Sequence, residues 1–168
     1  IVAYYRREVD AALAVRPHLR RASAGESIPD FTPDTAKSFT RGESEYFFAG
    51  KRPGVASFDT PKAVGEYVGR VVRVEKNRFR LDRGGLLAAG DGICFLTDRG
   101  FAGTNVNAAD GDCVTPNRME GIVPGTEVYR NYDHRFNQLL ARSRTRRVIP
   151  ASVLVEATAG GVRFSYTD

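Results

Sequence analysis

Apolar residues recur at helical spacing over residues 1–15, where Ile1, Tyr5, Val9 and Ala12 share a side and Arg6, Arg7 and Asp10 lie elsewhere on the wheel. This predicts a helix ended by Pro17, whose ring removes a donor and clashes with the preceding turn. Residues 20–38, with Ser, Gly, Pro, Asp and Thr, lose the period and read as a long connecting segment. Residues 39–48 fit helix or strand, with Tyr46, Phe47 and Phe48 needing apolar cover, and Gly50, Pro53, Gly54 and Pro61 punctuate another loop. From residue 65 the character changes: Tyr67–Val74 is rich in β-formers, and Arg78–Asp82 alternates strictly, which turns Phe79 and Leu81 inward. Gly90-Asp91-Gly92 reads as a tight turn into a strand at Ile93–Leu96, and short strands follow at 103–106, 113–116 and 127–132. Turn signals about every 8–12 residues predict a small barrel or sandwich. Phe136–Arg142 reads as a short helix capped by Asp133. Val148–Glu156 reads as a strand in which Pro150 is tolerated only at an edge or a start. It is followed by a turn at Ala159-Gly160-Gly161 and a return strand at Val162–Tyr166. An isolated hairpin is marginal in water, so this one should pack back, pair with another chain or open a following module.

Composition narrows the class. With 168 residues, 42% hydrophobic and 27% charged, the chain supports one core and is not disordered. No apolar run approaches the length of a membrane-spanning helix, so no membrane partner is expected. The chain starts at Ile1 and has Met119 as its single methionine, which reads as a piece of a longer protein. Two cysteines and no signal-peptide pattern point to the cytoplasm. The expected organisation is a helix and connecting arm over 1–62, a β-barrel over 63–133, and a basic helix or linker over 134–168 that begins a further β module.

Charge is uneven. The net charge is +5, and residues 134–168 hold 6 basic against 2 acidic side chains, whereas residues 63–133 hold 9 against 10. The tail therefore supplies most of the excess, with Arg135, Arg142, Arg144, Arg146 and Arg147 crowded together. Guanidinium forks suit phosphate. The same cluster also suits a solvated linker or an acidic protein partner. Before the barrel, Arg41, Lys51 and Arg52 are interleaved with Phe39, Tyr46, Phe47, Phe48 and Phe58. That mixture fits a segment docked on a neighbouring domain before it fits stacking on single-stranded RNA. The contact candidates are thus Arg41, Lys51, Arg52, Arg142, Arg144, Arg146 and Arg147.

Catalytic patterns are missing. His18, His134, Cys94 and Cys113 have no metal-ligand spacing, and a bridge between the two cysteines needs them on adjacent strands. No G-x-S-x-G elbow or phosphate-binding glycine loop occurs, and Asp110 and Asp112 about Gly111 lack the further oxygens of a calcium loop. The expectation is a chain with no catalytic residue and no cofactor or metal of its own.

Several segments together carry a family resemblance. Ser38-Phe39-Thr40-Arg41-Gly42, with Tyr46-Phe47 and Gly50-Lys51, resembles the segment that follows the catalytic domain in the U32 peptidase family, the collagenase-like peptidases. Gly65–Val71, Leu86–Ile93 and Pro124–Asn131 are similar, in order, to its "G-x-x-V-G-x-V", "L-x-x-G-D-G-I" and "G-x-x-V-Y-R-N-x-D" stretches. Arg147–Ala151 looks like the start of the next module in its longer, RNA-modifying members. The resemblance implies a mostly β chain: a barrel of six or so strands like the second domain of translation elongation factors, with an N-terminal helix and arm. It implies an accessory, non-catalytic domain of a peptidase-like hydrolase, partnered by the catalytic domain of the same parent chain. That domain would position a peptide substrate or scaffold the parent. The alternative it implies is an RNA-binding module of an enzyme hydroxylating ribosomal RNA.

Overall fold

The computed structural model describes residues 1–22, 24–42, 44–51, 56 and 60–167. Arg52 and Phe58, like the loop positions Pro53 and Gly54, lie outside the described residues. Two compact units emerge, Asp34–Ala141 and a discontinuous one made of Ile1–Pro33 with Arg142–Asp168.

The continuous unit is a closed six-stranded barrel. Its strands are β2 (Glu66–Val74), β3 (Phe79–Leu81), β4 (Gly92–Thr97), β5 (Gly100–Asp110), β6 (Cys113–Pro116) and β7 (Glu127–Tyr132), in the cyclic order β2-β3-β6-β5-β4-β7. All neighbours are antiparallel. Closure leaves no strand edge exposed, which is how a small sheet avoids pairing with other chains. The core is one cluster that includes Val68, Val71, Phe79, Leu81, Ile93, Phe95, Val106, Val114 and Val128. Phe79 and Leu81 point inward as their alternation predicts. Strand β5 runs well beyond the expected 103–106 because it pairs with β4 over its first half and β6 over its second. A register shift between Val106 and Ala108 leaves Asn107 as the extra residue and lets the strand bend from one partner to the next.

Helix α2 (His134–Arg142) follows β7 and carries one buried side chain, Phe136. Asp133 caps it as predicted: Phe136 N–H donates to Asp133 Oδ1 at 2.8 Å. The arm before the barrel is tied to it, since the Val64 amide donates to the Thr40 carbonyl at 2.8 Å.

The discontinuous unit holds α1 (Val2–Ala14), β1 (Glu26–Ile28), β8 (Arg146–Val148), β9 (Ser152–Thr158) and β10 (Gly161–Thr167). Helix α1 forms where the period predicts, yet it buries no residue, and Tyr5 and Val9 remain exposed. Strand β1 lies inside the expected connector. Three residues carry too little pattern to be read alone; they are extended because they pair with β8, Ser27 opposite Arg147. Pro150 falls between β8 and β9, so the expected strand over 148–156 is two strands, split where the missing donor would break a ladder. Strands β9 and β10 form the expected hairpin.

Candidate nucleic-acid interface

The three motif segments that carry the resemblance meet at one buried charge cluster in the barrel unit. Asp91, fully buried, accepts the Ala88 amide and the His134 amide at 2.9 Å each, and pairs with Arg130 at 3.3 Å. Arg130 also donates to the Leu86 carbonyl at 2.6 Å, pairs with Glu66, and lies 3.3 Å from Asp133. Lys37, from the arm, reaches Asp133 at 3.1 Å. The Gly90-Asp91-Gly92 turn is therefore more than the tight turn expected from sequence. Gly90 does take a positive φ, but Gly92 does not; there a Cβ would meet Asn131 Oδ1 at 2.9 Å.

Burial alone would raise the Asp133 carboxyl; the Phe136 amide, Lys37 and Arg130 outweigh it and hold the group below its ordinary range. Desolvation likewise works against the Arg130 charge, and Glu66, Asp133 and Asp91 overcome it. Every carboxylate in the cluster thus has a structural partner. The cluster pins the arm, β2, the turn before β4, β7 and α2 to one another and offers no free base.

Other candidate chemistry is likewise absorbed by structure. Cys94 is buried, donates to the Val64 carbonyl, and is pushed up to about 11 by desolvation, which makes it a poor nucleophile. Both cysteines are free thiols, so the bridge considered from sequence is not formed. Asp112 pairs with Arg80 at 2.9 Å. The His134 ring contacts Gln138 and is not oriented by Asp133. Among the described residues no group of acidic, His and Cys side chains could hold a metal ion, and no helix is long and apolar enough to cross a membrane.

The sequence-predicted contact residues fall in both units. In the barrel unit, Arg41 stacks over the exposed Phe39 ring at 5.7 Å, and Lys51 is exposed. In the discontinuous unit, the basic stretch is not a linker but part of a small built feature. Ser143 Oγ and the Arg144 amide donate to Asp30 at 2.6 and 2.8 Å, and Arg146 and Arg147 lie on β8 against β1. The Ser143 hydroxyl first, then the Arg144 amide, holds the Asp30 carboxyl below its ordinary value. Arg147 also donates to the Ala24 carbonyl, while Arg142 ends α2. All four arginines are exposed; Arg146 and Arg147 lie on β8, where successive side chains point to opposite faces.

A feature that no spacing rule pointed to is a polar cavity of about 280 Å³ where the start of β4 lies between β5 and β7. Its lining includes Asn105, Asn117, Asn131 and Arg118 together with Gly92 and Gly103. Gly92 pairs with Asn105 on one side and Tyr132 on the other, and the register shift on the β7 side makes Asn131 the extra residue. Such a bulge re-aims its side chain. The Asn117 amide donates to the Asn105 carbonyl at 2.7 Å, and the Arg118 amide to Thr104 Oγ1 at 3.0 Å, which fixes the segment after β6 beside β5.

Along its length the chain is similar to a curated protein, the 23S rRNA 5-hydroxycytidine C2501 synthase of Escherichia coli (strain K12). The two are 34% identical over 162 residues, covering 91% of this chain and 25% of that protein. The chain thus spans about a quarter of its relative's length. No family model matches, and no solved structure matches. The expectation of a peptidase or collagenase-like hydrolase is overturned by this similarity, because the relative is named for a modification of ribosomal RNA and not for proteolysis.

Proposed function

We propose that this chain is the RNA-contacting, non-catalytic barrel portion of an enzyme that modifies ribosomal RNA, one of the RNA-modifying members of the family it resembles. The similarity over 91% of the chain to a 23S rRNA hydroxycytidine synthase carries the reading. Two structural observations support it. The barrel's buried carboxylates are all committed to cations and amides, as suits a scaffold, and the arginines on β8 are exposed and held by a ladder, as suits phosphate contact. The catalytic domain then belongs to the remainder of the parent chain, and this portion takes no cofactor of its own. An enzyme acting on ribosomal RNA works where ribosomes are, in the cytoplasm.

The test is a titration of the chain into a labelled fragment of large-subunit ribosomal RNA at two or more salt concentrations. Phosphate contacts release counterions, so affinity should fall steeply as salt rises. Replacing Arg142, Arg144, Arg146 and Arg147 together by Ala should weaken binding and flatten the log–log salt slope by about 3, at roughly 0.7 per lost single-strand phosphate contact. No binding at low salt would refute the reading.

A further inference from the structure

The β8 arginines explain adhesion to phosphate but carry no means of recognising a base. The cavity between β5, β4 and β7 does. Asn105, Asn117 and Asn131 each bring an amide with a donor and an acceptor side by side, and among the described residues no protein group engages these three amides. Arg118, exposed and bonded through its backbone alone, adds one cation at the rim. Among the described residues no carboxylate lines this cavity, whereas the adjoining one of about 460 Å³ sets Asp98 and Glu120 against Arg99 and the shared Arg118. Gly92 and Gly103 also line it, and a Cβ at Gly92 would meet Asn131 Oδ1 at 2.9 Å, so glycine there leaves room for the Asn131 amide.

Resting on the RNA reading above, we propose that this cavity takes one unpaired nucleotide of the bound RNA. The base edge lies on the amides of Asn105, Asn117 and Asn131, and the phosphate lies on Arg118. The chemistry selects for an unpaired base. Side-chain amides match the paired donor and acceptor groups along a Watson–Crick edge, which in a duplex is spent on the partner strand while the ring stays stacked, and the deep, narrow major groove of an RNA duplex keeps side chains from the other edge. A peptide would satisfy some of these amides, but a single cation beside three uncharged bidentate groups is the complement of one nucleotide.

The test uses the whole chain, isotope-labelled so that asparagine side-chain amide signals are visible by nuclear magnetic resonance. It is titrated with hexa-adenylate, hexacytidylate and hexauridylate, with an RNA duplex of the same length, and with adenosine monophosphate. At least one single strand should shift the signals of Asn105, Asn117 and Asn131, and the duplex should leave them in place. N105A combined with N117A should weaken that single strand by about tenfold or more, taking each good amide–base pair at its usual strength. R118A, at an exposed site that does not threaten folding, should reduce the salt slope by about 0.7. If the chain binds single-stranded RNA and both variants bind it as tightly as the parent, the cavity assignment is wrong and the RNA reading stands. If the parent binds none of the strands at low salt, both fall. If the mononucleotide binds the same amides more tightly than any strand, the ligand is a free nucleotide and the assignment to RNA is overturned.

Discussion

Arg130 is almost wholly removed from solvent, and its Nε finds no partner among the described residues. It holds its place because Glu66, Asp91 and Asp133 surround its two terminal nitrogens. A buried cation of this kind adds little net stability, but stripping one partner leaves an uncompensated charge. Asp91→Ala should therefore cost about 3–5 kcal/mol, read as a large drop in the urea midpoint. A loss below about 1 kcal/mol would mean that water replaces the carboxylate. Asp133 makes the same cluster sensitive to acid. Its folded pKa lies below the ordinary 3.8, so its contribution is complete above that value and is lost as pH falls through the folded pKa. The thermal midpoint of the parent should exceed that of Asp133→Asn at neutral pH, and the gap should close as pH falls below about 4. Gly65 guards the cluster sterically. It takes φ +80°, and a Cβ there would lie 1.9 Å from the Arg130 carbonyl oxygen. Gly65→Ala should thus lower the thermal midpoint even though alanine is the milder of substitutions elsewhere, whereas Gly85→Ala, also at positive φ but in open space, should cost less.

At the level of elements, what could be read from sequence divides by how local its cause is. Strands β3, β6, β7 and β10 and the turn at 159–161 lie where alternation and turn residues place them, because each is specified by its own residues. The Asp133 cap was legible for the same reason. Strand β1 and the true length of β5 were not, since their extension is dictated by partners distant in the chain. The hairpin shows a further consequence of register. Val153 opposes Tyr166, Val155 opposes Phe164 and Ala157 opposes Val162, so one face of the ribbon is apolar, while Glu156 opposes Arg163 on the other. Val155 and Phe164 are 56% and 58% exposed, which leaves that face open among the described residues. The chain should accordingly bind a hydrophobic dye such as anilinonaphthalene sulfonate in its native state. Val155→Lys with Phe164→Lys should abolish most of that signal without moving the unfolding midpoint of the barrel; unchanged fluorescence would place the dye elsewhere.

For the whole molecule, one of the two candidate contacts was legible. The arginines of 142–147 announced themselves as a run, because charge density is visible in one dimension. Asn105, Asn117 and Asn131 carry no mutual spacing and converge only through closure of the barrel and the bulge before Tyr132. A usable signal existed: asparagine is depleted from strands, and Asn105, Asn107 and Asn131 all interrupt strand-like runs. The cavity belongs to Asp34–Ala141 and the β8 arginines to the discontinuous unit, so each is a separate candidate contact. Every member of the hydrophobic core cluster lies between Val68 and Val128, inside the first of these. The segment 34–141 should therefore fold alone, with a dispersed amide spectrum like that of the parent chain. Phe79→Ala, which removes a fully buried ring, should unfold or nearly unfold it at a cost of about 3–5 kcal/mol against a total of roughly 5–15. Separation then assigns the two contributions to RNA binding. The isolated barrel should keep its preference for single strands over duplex while losing affinity and salt dependence, because it retains the amides and lacks the arginines. A barrel that binds duplex and single strand alike would mean that selectivity resides in the basic strand, and that the amides on the barrel read no base.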